Sequence, residues 1–413
     1  PWMLAPFVPG FLDDPAKYEL TVLLTRICFP YLMCMSLMAA YAAILNGLGF
    51  FKAAAFAPVL LNIVMIAFML PLVISANTDT QTAIWIAVGT IAGGIAQLIL
   101  VNVAVARAGF VPRLRWPRFD GEVKRFWLLA VPAVIAGGIT QVNIFVGTII
   151  ASAADSAIAY LYYADRLYQL PLGIIGIAVG TVLLPELSRH LKGGRDAEAD
   201  ASQNQALLIS MLLSLPAATA LIALATPIVA VLFERGAFTS ADTAATAATL
   251  IWFSAGLPAY VLIRVLQPGF FAREDTRTPT LFAGISVVVN IALSLLLFAP
   301  LAHVGIAIAT SVSAWANAVL LAIWLGRRGH FRLPAADWRR HGLLVLAAVA
   351  MAALLWGLAI PLQPWLSSAA PLPMQIIALG ALVLAGMAIY FGLVHVTGAQ
   401  RLGALLGRLR RPR

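Results

Sequence analysis

Eleven long apolar segments run through this chain, and they limit the kinds of fold it can adopt. A helix that crosses the hydrocarbon core of a bilayer needs about 20 apolar residues. Only helices and closed barrels cross, because lipid offers no hydrogen-bond partner to a free peptide group. The sequence therefore predicts an all-α polytopic membrane protein with about 11 transmembrane helices. The predicted spans are 21–46, 54–75, 82–106, 126–150, 157–188, 206–233, 243–266, 280–299, 301–326, 342–362 and 374–397.

The composition of the chain supports the same class. Hydrophobic residues make up 62% of the 413 residues and charged residues 11%, with a mean hydropathy of +0.94. Soluble domains carry about 25% charged residues. The net charge of +10 lies in short loops between apolar segments, where positive residues set the orientation of spans. The sequence therefore predicts no nucleic-acid partner.

The chain lacks the common patterns for catalytic or metal chemistry. It contains no Walker A motif and no G-x-S-x-G motif. Its five histidines are scattered, and with two cysteines they form no ligand cluster. Cys28 and Cys34 lie on different faces of one predicted helix, so no disulfide is expected. We expect no metal, no cofactor and no enzymatic activity.

Positive residues alternate between successive loops. The loops after the third, fifth, seventh and ninth spans are rich in arginine, and the intervening loops have almost none. By the positive-inside rule, the C-terminus is cytoplasmic and Pro1 lies outside. A chain that starts outside without a visible signal peptide is expected to lack an odd number of N-terminal spans.

The fifth predicted span contains charged residues at membrane depth. Asp165 and Arg166 lie about nine residues into it, roughly 13 Å deep in a ~30 Å core. A charge there costs several kcal/mol and tends to face a cavity or a partner. Gln169 lies one turn from Asp165, and Pro171 removes a backbone donor. Asp165, Arg166 and Gln169 are therefore predicted to line a substrate cavity; the alternative is a structural pair that binds backbone carbonyls of neighbouring helices.

Another arginine and the last two spans complete the predicted architecture. Arg26 lies near the outer end of the first span, one turn before Pro30. It could line the cavity or extend to the membrane surface, and the sequence leaves both open. The last two spans contain almost no polar residue and follow a basic segment at 327–341. They are predicted to form an appended hairpin that faces lipid.

Short motifs along the chain resemble those of one known family. They include FPYL at 29–32, AAILN at 42–46, FAPVLLN at 56–62, YYADRL at 162–167, PLGIIGIAVG at 171–180, LPEL at 184–187 and PGF at 268–270. Together, and in this order, they are similar to the MurJ/MviN family of lipid II flippases of bacterial cell-wall synthesis, in the MOP exporter superfamily. Each motif alone is weak, but the set covers nearly the whole chain.

The resemblance implies a fourteen-helix fold of two lobes around a cavity, with this chain matching helices four to fourteen. Residues 1–110 would then be the remaining half of the N-terminal lobe, with three helices. Residues 111–330 would be the C-terminal six-helix lobe, and 331–413 the appended two-helix hairpin with a basic cytoplasmic tail.

The resemblance also implies roles for particular residues. The family's cavity arginine in the eighth helix falls on Arg166, and its other cavity arginines belong to the first two helices, which this chain lacks. Some members bind sodium through acidic residues. The matching positions here are Gly147, Asn290, Ser294 and Thr310, so no sodium site is expected.

These observations lead to one hypothesis and two alternatives. The intact protein is expected to flip lipid II, the undecaprenyl-diphosphate-linked peptidoglycan precursor, across the inner membrane by alternating access. Its partners would be lipid II and membrane lipids, and the chain as it stands is expected to be inactive alone. One alternative is a flippase or exporter of another polyprenyl-linked glycan or of drugs. The other is a membrane enzyme, which would be expected to carry paired acidic clusters for Mg²⁺.

Overall fold

The computed structural model describes residues 2–74, 78–109, 121, 123, 124, 127, 141 and 143–400. These residues are almost entirely helical and include no β-strand, so the predicted all-α class is confirmed. Eight of the described helices are long and apolar enough to cross a membrane. The count of about 11 stays a prediction, because most of span 126–150 lies outside the described residues. The chain divides into two compact units, Pro1–Val131 and Pro132–Arg413.

The first unit is built from three long helices after a short 3-10 turn. Asp14 Oδ1 accepts a hydrogen bond from the Lys17 backbone N–H at 3.1 Å and caps the first of them. Thr78 and Gln81 form a reciprocal capping box at the start of the third. The elements are the 3-10 turn Pro9–Phe11, α1 (Pro15–Gly47), α2 (Lys52–Ile74) and α3 (Asp79–Arg107).

Close packing in the first unit depends on small residues of α3. A Cβ at Gly94 would lie 2.5 Å from Tyr31 Cδ2, so only glycine fits where α3 crosses α1. Gln97 Nε2 donates a hydrogen bond to the carbonyl oxygen of Ala57 at 2.9 Å, which joins α3 to α2. Such interhelical bonds contribute about 0.6–2 kcal/mol in membrane proteins.

The second unit contains seven labelled helices, preceded by helical residues 143–151. The predicted span 206–233 is divided at Leu224, which separates a long helix from a short one. The helices are α4 (Ala157–Lys192), α5 (Asp196–Ala223), α6 (Ala225–Phe233), α7 (Ser240–Phe271), α8 (Arg277–Arg327), α9 (Ala335–Leu366) and α10 (Leu372–Val396).

Helix α8 contains two of the predicted spans. Its 51 residues are interrupted at Ala302, where φ is 45° and ψ is −128°. A positive φ is uncommon for a residue other than glycine and ends the regular hydrogen-bonding pattern. The observed break lies close to the predicted boundary at Pro300–Leu301, so residues 280–299 and 301–326 form two limbs.

One large apolar core joins all seven labelled helices of the second unit. It includes buried side chains from α4, α5 and α7 together with Leu344 and Met351 of α9 and Tyr390 of α10. The predicted hairpin therefore packs one face on the unit, and its other face exposes apolar residues such as Ile377 and Leu384. The division of the chain into 1–110, 111–330 and 331–413 stays a prediction.

Polar contacts tie the two ends of α8 together. Asp275 accepts hydrogen bonds from the backbone N–H and the hydroxyl of Thr278, at 3.0 and 2.7 Å, and from Arg328 Nη1 at 2.7 Å. These contacts, with the backbone bond from Thr278 first, hold the pKa of the Asp275 carboxyl below its ordinary value of 3.8.

We expect Gly256→Ala to destabilise the packing of α7 on α8. The new Cβ would lie 2.6 Å from Ser311 Oγ and 3.0 Å from Ser311 Cα, and Ser311 donates a hydrogen bond to the carbonyl of Trp252. Overpacking of this kind costs about 1–3 kcal/mol. Thermal unfolding of the purified protein in detergent measures the loss. Gly284→Ala on α8 is the control, because its Cβ would meet no atom within 4 Å; equal unfolding temperatures for the two variants would contradict the prediction.

We expect Asp275→Asn to lower the unfolding temperature at pH 7. The folded-state pKa is lowered, so the carboxylate stabilises the fold above its ordinary pKa, and this contribution is lost as pH falls through the folded-state value. The difference in unfolding temperature between wild type and Asp275→Asn should therefore decrease below about pH 4. Unfolding scans at a series of pH values measure it. Glu274→Gln, on the same exposed turn, should change little; a gap that persists unchanged at low pH would refute the prediction.

Candidate functional site

Helix α4 carries the charged residues predicted for the cavity. Ala164, Leu167 and Tyr168 pack one face of α4 into the core of the second unit. Tyr162 and Arg166 lie on the opposite, exposed face, where Tyr162 is 55% exposed. Residues four apart share a helix face, which explains this arrangement. One face of α4 is therefore fixed by packing in the core, and Arg166 extends from the other face.

The guanidinium of Arg166 lies over the aromatic ring of Tyr162. Arg166 Cζ is 4.6 Å from the ring centroid, and Arg166 forms no salt bridge with any described residue. A cation–π contact contributes about 0.5–2 kcal/mol and directs the planar group. The N–H donors remain available, and a guanidinium can bind two oxygens of a phosphate or carboxylate at once.

Asp165 and Gln169 form a hydrogen-bonded pair beside Arg166. Gln169 Nε2 donates to Asp165 Oδ2 one turn away. Asp165 is half-buried and in electrostatic contact with Arg166, but the two do not form a salt bridge, because neighbouring helical residues point about 100° apart. Three of the four predicted site residues therefore lie together within two turns of α4.

Arg26 belongs to the first unit, whereas the other three predicted site residues belong to the second. It lies on the exposed face of α1, with Phe29 and Met33 further along the same face. Pro30 lies inside α1 without ending it. The structure places Arg26 on an exposed helix face, and its role in a cavity stays a prediction.

Arg264 of α7 is an arginine on a helix packed against α4 that the predicted site does not include. A Cβ at Gly176 on α4 would lie 2.6 Å from Arg264 Cδ and 2.9 Å from its Nε. The Arg264 side chain therefore crosses α4 at a glycine, about 15 Å along the helix from Arg166. It is also in electrostatic contact with Tyr168. The one sequence signal was Gly176, which alone cannot identify the side chain that fills the space.

Asn290 and Thr310, two of the residues that the resemblance matched to sodium ligands, are hydrogen-bonded to each other. Asn290 Nδ2 donates to Thr310 Oγ1 at 3.2 Å and to Ser313 Oγ at 3.3 Å. Ser294 is buried nearby on the same limb of α8. Cations in proteins are bound by oxygen ligands, with carboxylates supplying the charge. None of these side chains is charged, and the absence of a sodium site stays a prediction.

The fold and the charged face of α4 define a membrane transporter. One similar solved structure is the "Inward-facing conformation of a multidrug resistance MATE family transporter of the MOP superfamily", with a TM-score of 0.67, 16% identity, and coverage of 79% of this chain and 76% of that one. A second, "Lipid II flippase MurJ, inward closed conformation", has a TM-score of 0.75 and 24% identity, and covers 96% of this chain and 79% of that chain. At these identities the likeness concerns the fold.

The chain belongs to the lipid II flippase MurJ family, whose profile matches residues 1–374. A "Probable lipid II flippase MurJ" of Rhizobium meliloti (strain 1021) is 48% identical over 403 residues, which cover 98% of this chain and 75% of that protein. A protein of Rhizobium tropici with the same description is 45% identical over 412 residues, covering 100% of this chain and 77% of that protein. The predicted family is confirmed, and it makes the chain a multi-pass protein of the bacterial inner membrane and a transporter rather than an enzyme.

We expect a cysteine at position 166 to be accessible to water. A charge at membrane depth is retained where it faces a polar cavity, so Arg166→Cys in a chain with Cys28 and Cys34 replaced by alanine should react rapidly with a water-soluble thiol reagent. The rate of labelling in membranes measures this. Ala164→Cys, on the buried face of α4, should not react. Leu346→Cys on α9, an exposed apolar position, should react slowly; a rate at position 166 no faster than at 346 would contradict the cavity assignment.

Proposed function

We propose that this protein moves lipid II from the cytoplasmic to the periplasmic leaflet of the inner membrane. The proposal rests on membership of the MurJ family and on the curated relatives that are described as lipid II flippases. The likeness to a multidrug transporter concerns the fold, so it does not favour a drug substrate.

The proposed mechanism depends on the guanidinium of Arg166, which lies on the exposed face of α4. It has no salt-bridge partner among the described residues, and Tyr162 directs it. The diphosphate of lipid II supplies the missing negative charge and matches the fork of N–H donors. Hydrogen bonds to charged groups contribute about 1.5–3 kcal/mol each, so one bidentate contact can hold the headgroup at this depth.

Asp165 and Gln169 have a supporting role in this proposal. The hydrogen bond from Gln169 occupies one oxygen of the Asp165 carboxylate, which keeps that negative group from forming a closed ion pair with Arg166. Arg166 therefore remains available to the substrate. Gln169 offers its amide oxygen to a hydroxyl or amide of the sugar-peptide headgroup. Arg26 is proposed as a further cationic contact from the first unit.

The polyprenyl tail is proposed to run along the appended hairpin. The exposed faces of α9 and α10 are apolar, as Leu346, Ile377 and Leu384 illustrate. An undecaprenyl chain is as apolar as lipid tails, so it can follow this surface while the headgroup crosses through the cavity. Transfer of the charged headgroup out of water costs free energy, and the contact with Arg166 offsets part of that cost.

We propose that alternating access is driven by the membrane potential or an ion gradient. The loop arginines support a cytoplasmic C-terminus. The cell interior is electrically negative, so a diphosphate that moves outward moves down the membrane potential. Moving one negative charge outward across 100 mV releases about 2.3 kcal/mol. Two negative charges on a diphosphate would thus contribute a substantial driving force.

We expect Arg166→Ala to abolish rescue of cells depleted of their own lipid II flippase. The gene is expressed with any coding sequence that precedes Pro1, and survival and the leaflet distribution of lipid II are measured. Arg166→Lys should rescue partly, because an ammonium keeps the charge but loses the bidentate contact. Tyr162→Phe should rescue, because its ring still supports the guanidinium.

The control is Arg327→Ala, which removes an exposed arginine at the end of α8. It should rescue fully. Immunoblots confirm that every variant accumulates in the membrane. Rescue by Arg166→Ala at the wild-type level would return Arg166 to a structural role, and failure of the unaltered gene with lipid II retained on the inner leaflet would overturn the function.

A further inference from the structure

A cavity lined by both polar and apolar residues lies at one end of the second unit, away from Arg166. It has a volume of about 940 Å³ and lies between the first turns of α5, the segment that enters α9, and residues 398–400 after α10. The ends of α4, α7, α8 and α10 lie on this side, and the loop arginines assign the side to the cytoplasm. The cavity therefore lies at the predicted cytoplasmic boundary of the membrane, beside the first turns of α5.

Two arginines supply positive charge to this cavity. Asn204 Nδ2 donates to the backbone carbonyl of Arg332 at 2.8 Å, which fixes the Arg332 backbone against α5. The Arg332 side chain forms no salt bridge with any described residue. Arg340 Nη1 lies 3.0 Å from Asp337 Oδ1, which leaves its other N–H donors available. Both guanidinium groups can therefore bind oxygens of a phosphate.

Acceptor groups line the same cavity. Asp200 is half-buried on the second turn of α5. Asn204 Oδ1, one turn further, is buried and has no hydrogen-bond partner among the described residues. Asp200 is also in electrostatic contact with Arg273 and His330, neither of which lines the cavity. The Asp200 carboxylate is suited to a cationic group that donates several hydrogen bonds.

The cavity changes from polar to apolar along α5. Asp200 and Asn204 lie toward the helix end, and Leu208 and Ile209 line the part further into the span. One face of α5 thus offers charged contacts at the membrane boundary and apolar contacts below them. That order matches an amphiphile whose headgroup is at the boundary and whose chains extend into the bilayer.

We propose that this cavity binds the headgroup of a zwitterionic aminophospholipid. Its phosphate would accept hydrogen bonds from Arg332 and Arg340, and its ammonium would donate to Asp200. The four ionisable side chains that line the cavity are two arginines and two aspartates, so they balance a ligand with one charge of each sign. Acyl chains would lie along Leu208 and Ile209. The site is separate from Arg166 and does not depend on the proposed transport function.

Native mass spectrometry of the purified full chain tests the proposal. The protein in detergent is titrated with dioleoylphosphatidylethanolamine, dioleoylphosphatidylcholine and dioleoylphosphatidylglycerol, and bound lipids are counted. Phosphatidylethanolamine should bind about tenfold more tightly than phosphatidylcholine, because a trimethylammonium has no N–H to donate; tenfold corresponds to about 1.4 kcal/mol. Equal affinity for these two lipids, or tightest binding of phosphatidylglycerol, would overturn the proposal.

Two variants separate the contacts to each half of the headgroup. Arg332→Gln should weaken binding of phosphatidylethanolamine and phosphatidylcholine to the same degree, because both carry the phosphate. Asp200→Asn should weaken binding of phosphatidylethanolamine more than binding of phosphatidylcholine and so reduce the preference between them; an unchanged preference would overturn the contact to Asp200. Arg339→Gln is the matched control, since Arg339 is exposed near the start of α9 and does not line the cavity. An effect of Arg339→Gln equal to that of Arg332→Gln would indicate non-specific attraction and refute the site.

Glycerophosphoethanolamine, which lacks acyl chains, tests whether the ligand is a membrane lipid or a soluble compound with the same headgroup. The lipid should bind at least tenfold more tightly than this soluble compound, because the apolar part of the cavity contacts the chains. Equal or tighter binding of the soluble compound would overturn a membrane lipid as the ligand. Unfolding temperatures of the three variants should match wild type, and a variant that fails this check is replaced by Asp200→Ser or Arg332→Met.

Discussion

Hydrocarbon offers no hydrogen-bond partner to a peptide group, and most of this structure follows from that constraint. Nearly all described residues are helical, because a helix satisfies its backbone within the segment. Hydroxyl groups inside the spans obey the same constraint: Thr21, Thr25 and Thr249 each donate to the carbonyl one turn back. Gln97 and Trp315 instead donate to carbonyls of neighbouring helices, which joins helices where apolar contact alone is no stronger than contact with lipid.

The same constraint separates the charged residues into two groups. At the helix ends, Arg328 pairs with Asp275 and Arg340 with Asp337, at 2.7 and 3.0 Å. Exposed pairs of this kind contribute about 0–1 kcal/mol each and mainly fix the connections. Arg166 differs because it lies on the exposed face of α4 without a salt bridge among the described residues. In the proposed function, the diphosphate of the lipid substrate supplies the opposite charge.

The appended hairpin links the proposed transport path to the second polar site. Its inner face joins the core of the second unit through Leu344, Met351 and Tyr390, so it is not a loosely attached pair. Its outer face is apolar along its length, which suits a polyprenyl chain. The segment that leads into it, from Arg332 to Arg340, forms one wall of the cavity at the proposed cytoplasmic end. Lipid bound there would contact both the core lobe and the hairpin.

The sequence by itself determined the membrane class, most of the helices, the family and the position of Arg166. Apolar length and a charge within an apolar segment are local properties of the chain, so they can be recognised without the fold. Only the tertiary structure decided that Arg264 crosses α4 at Gly176, that Tyr162 supports Arg166, that a helix break lies at Leu224, and that Asp200 and Arg332 share a cavity. The physical reason is that lipid-facing and helix-facing surfaces are equally apolar, so periodicity cannot distinguish them. Which residues meet across helices is settled by packing between segments that are far apart in the chain.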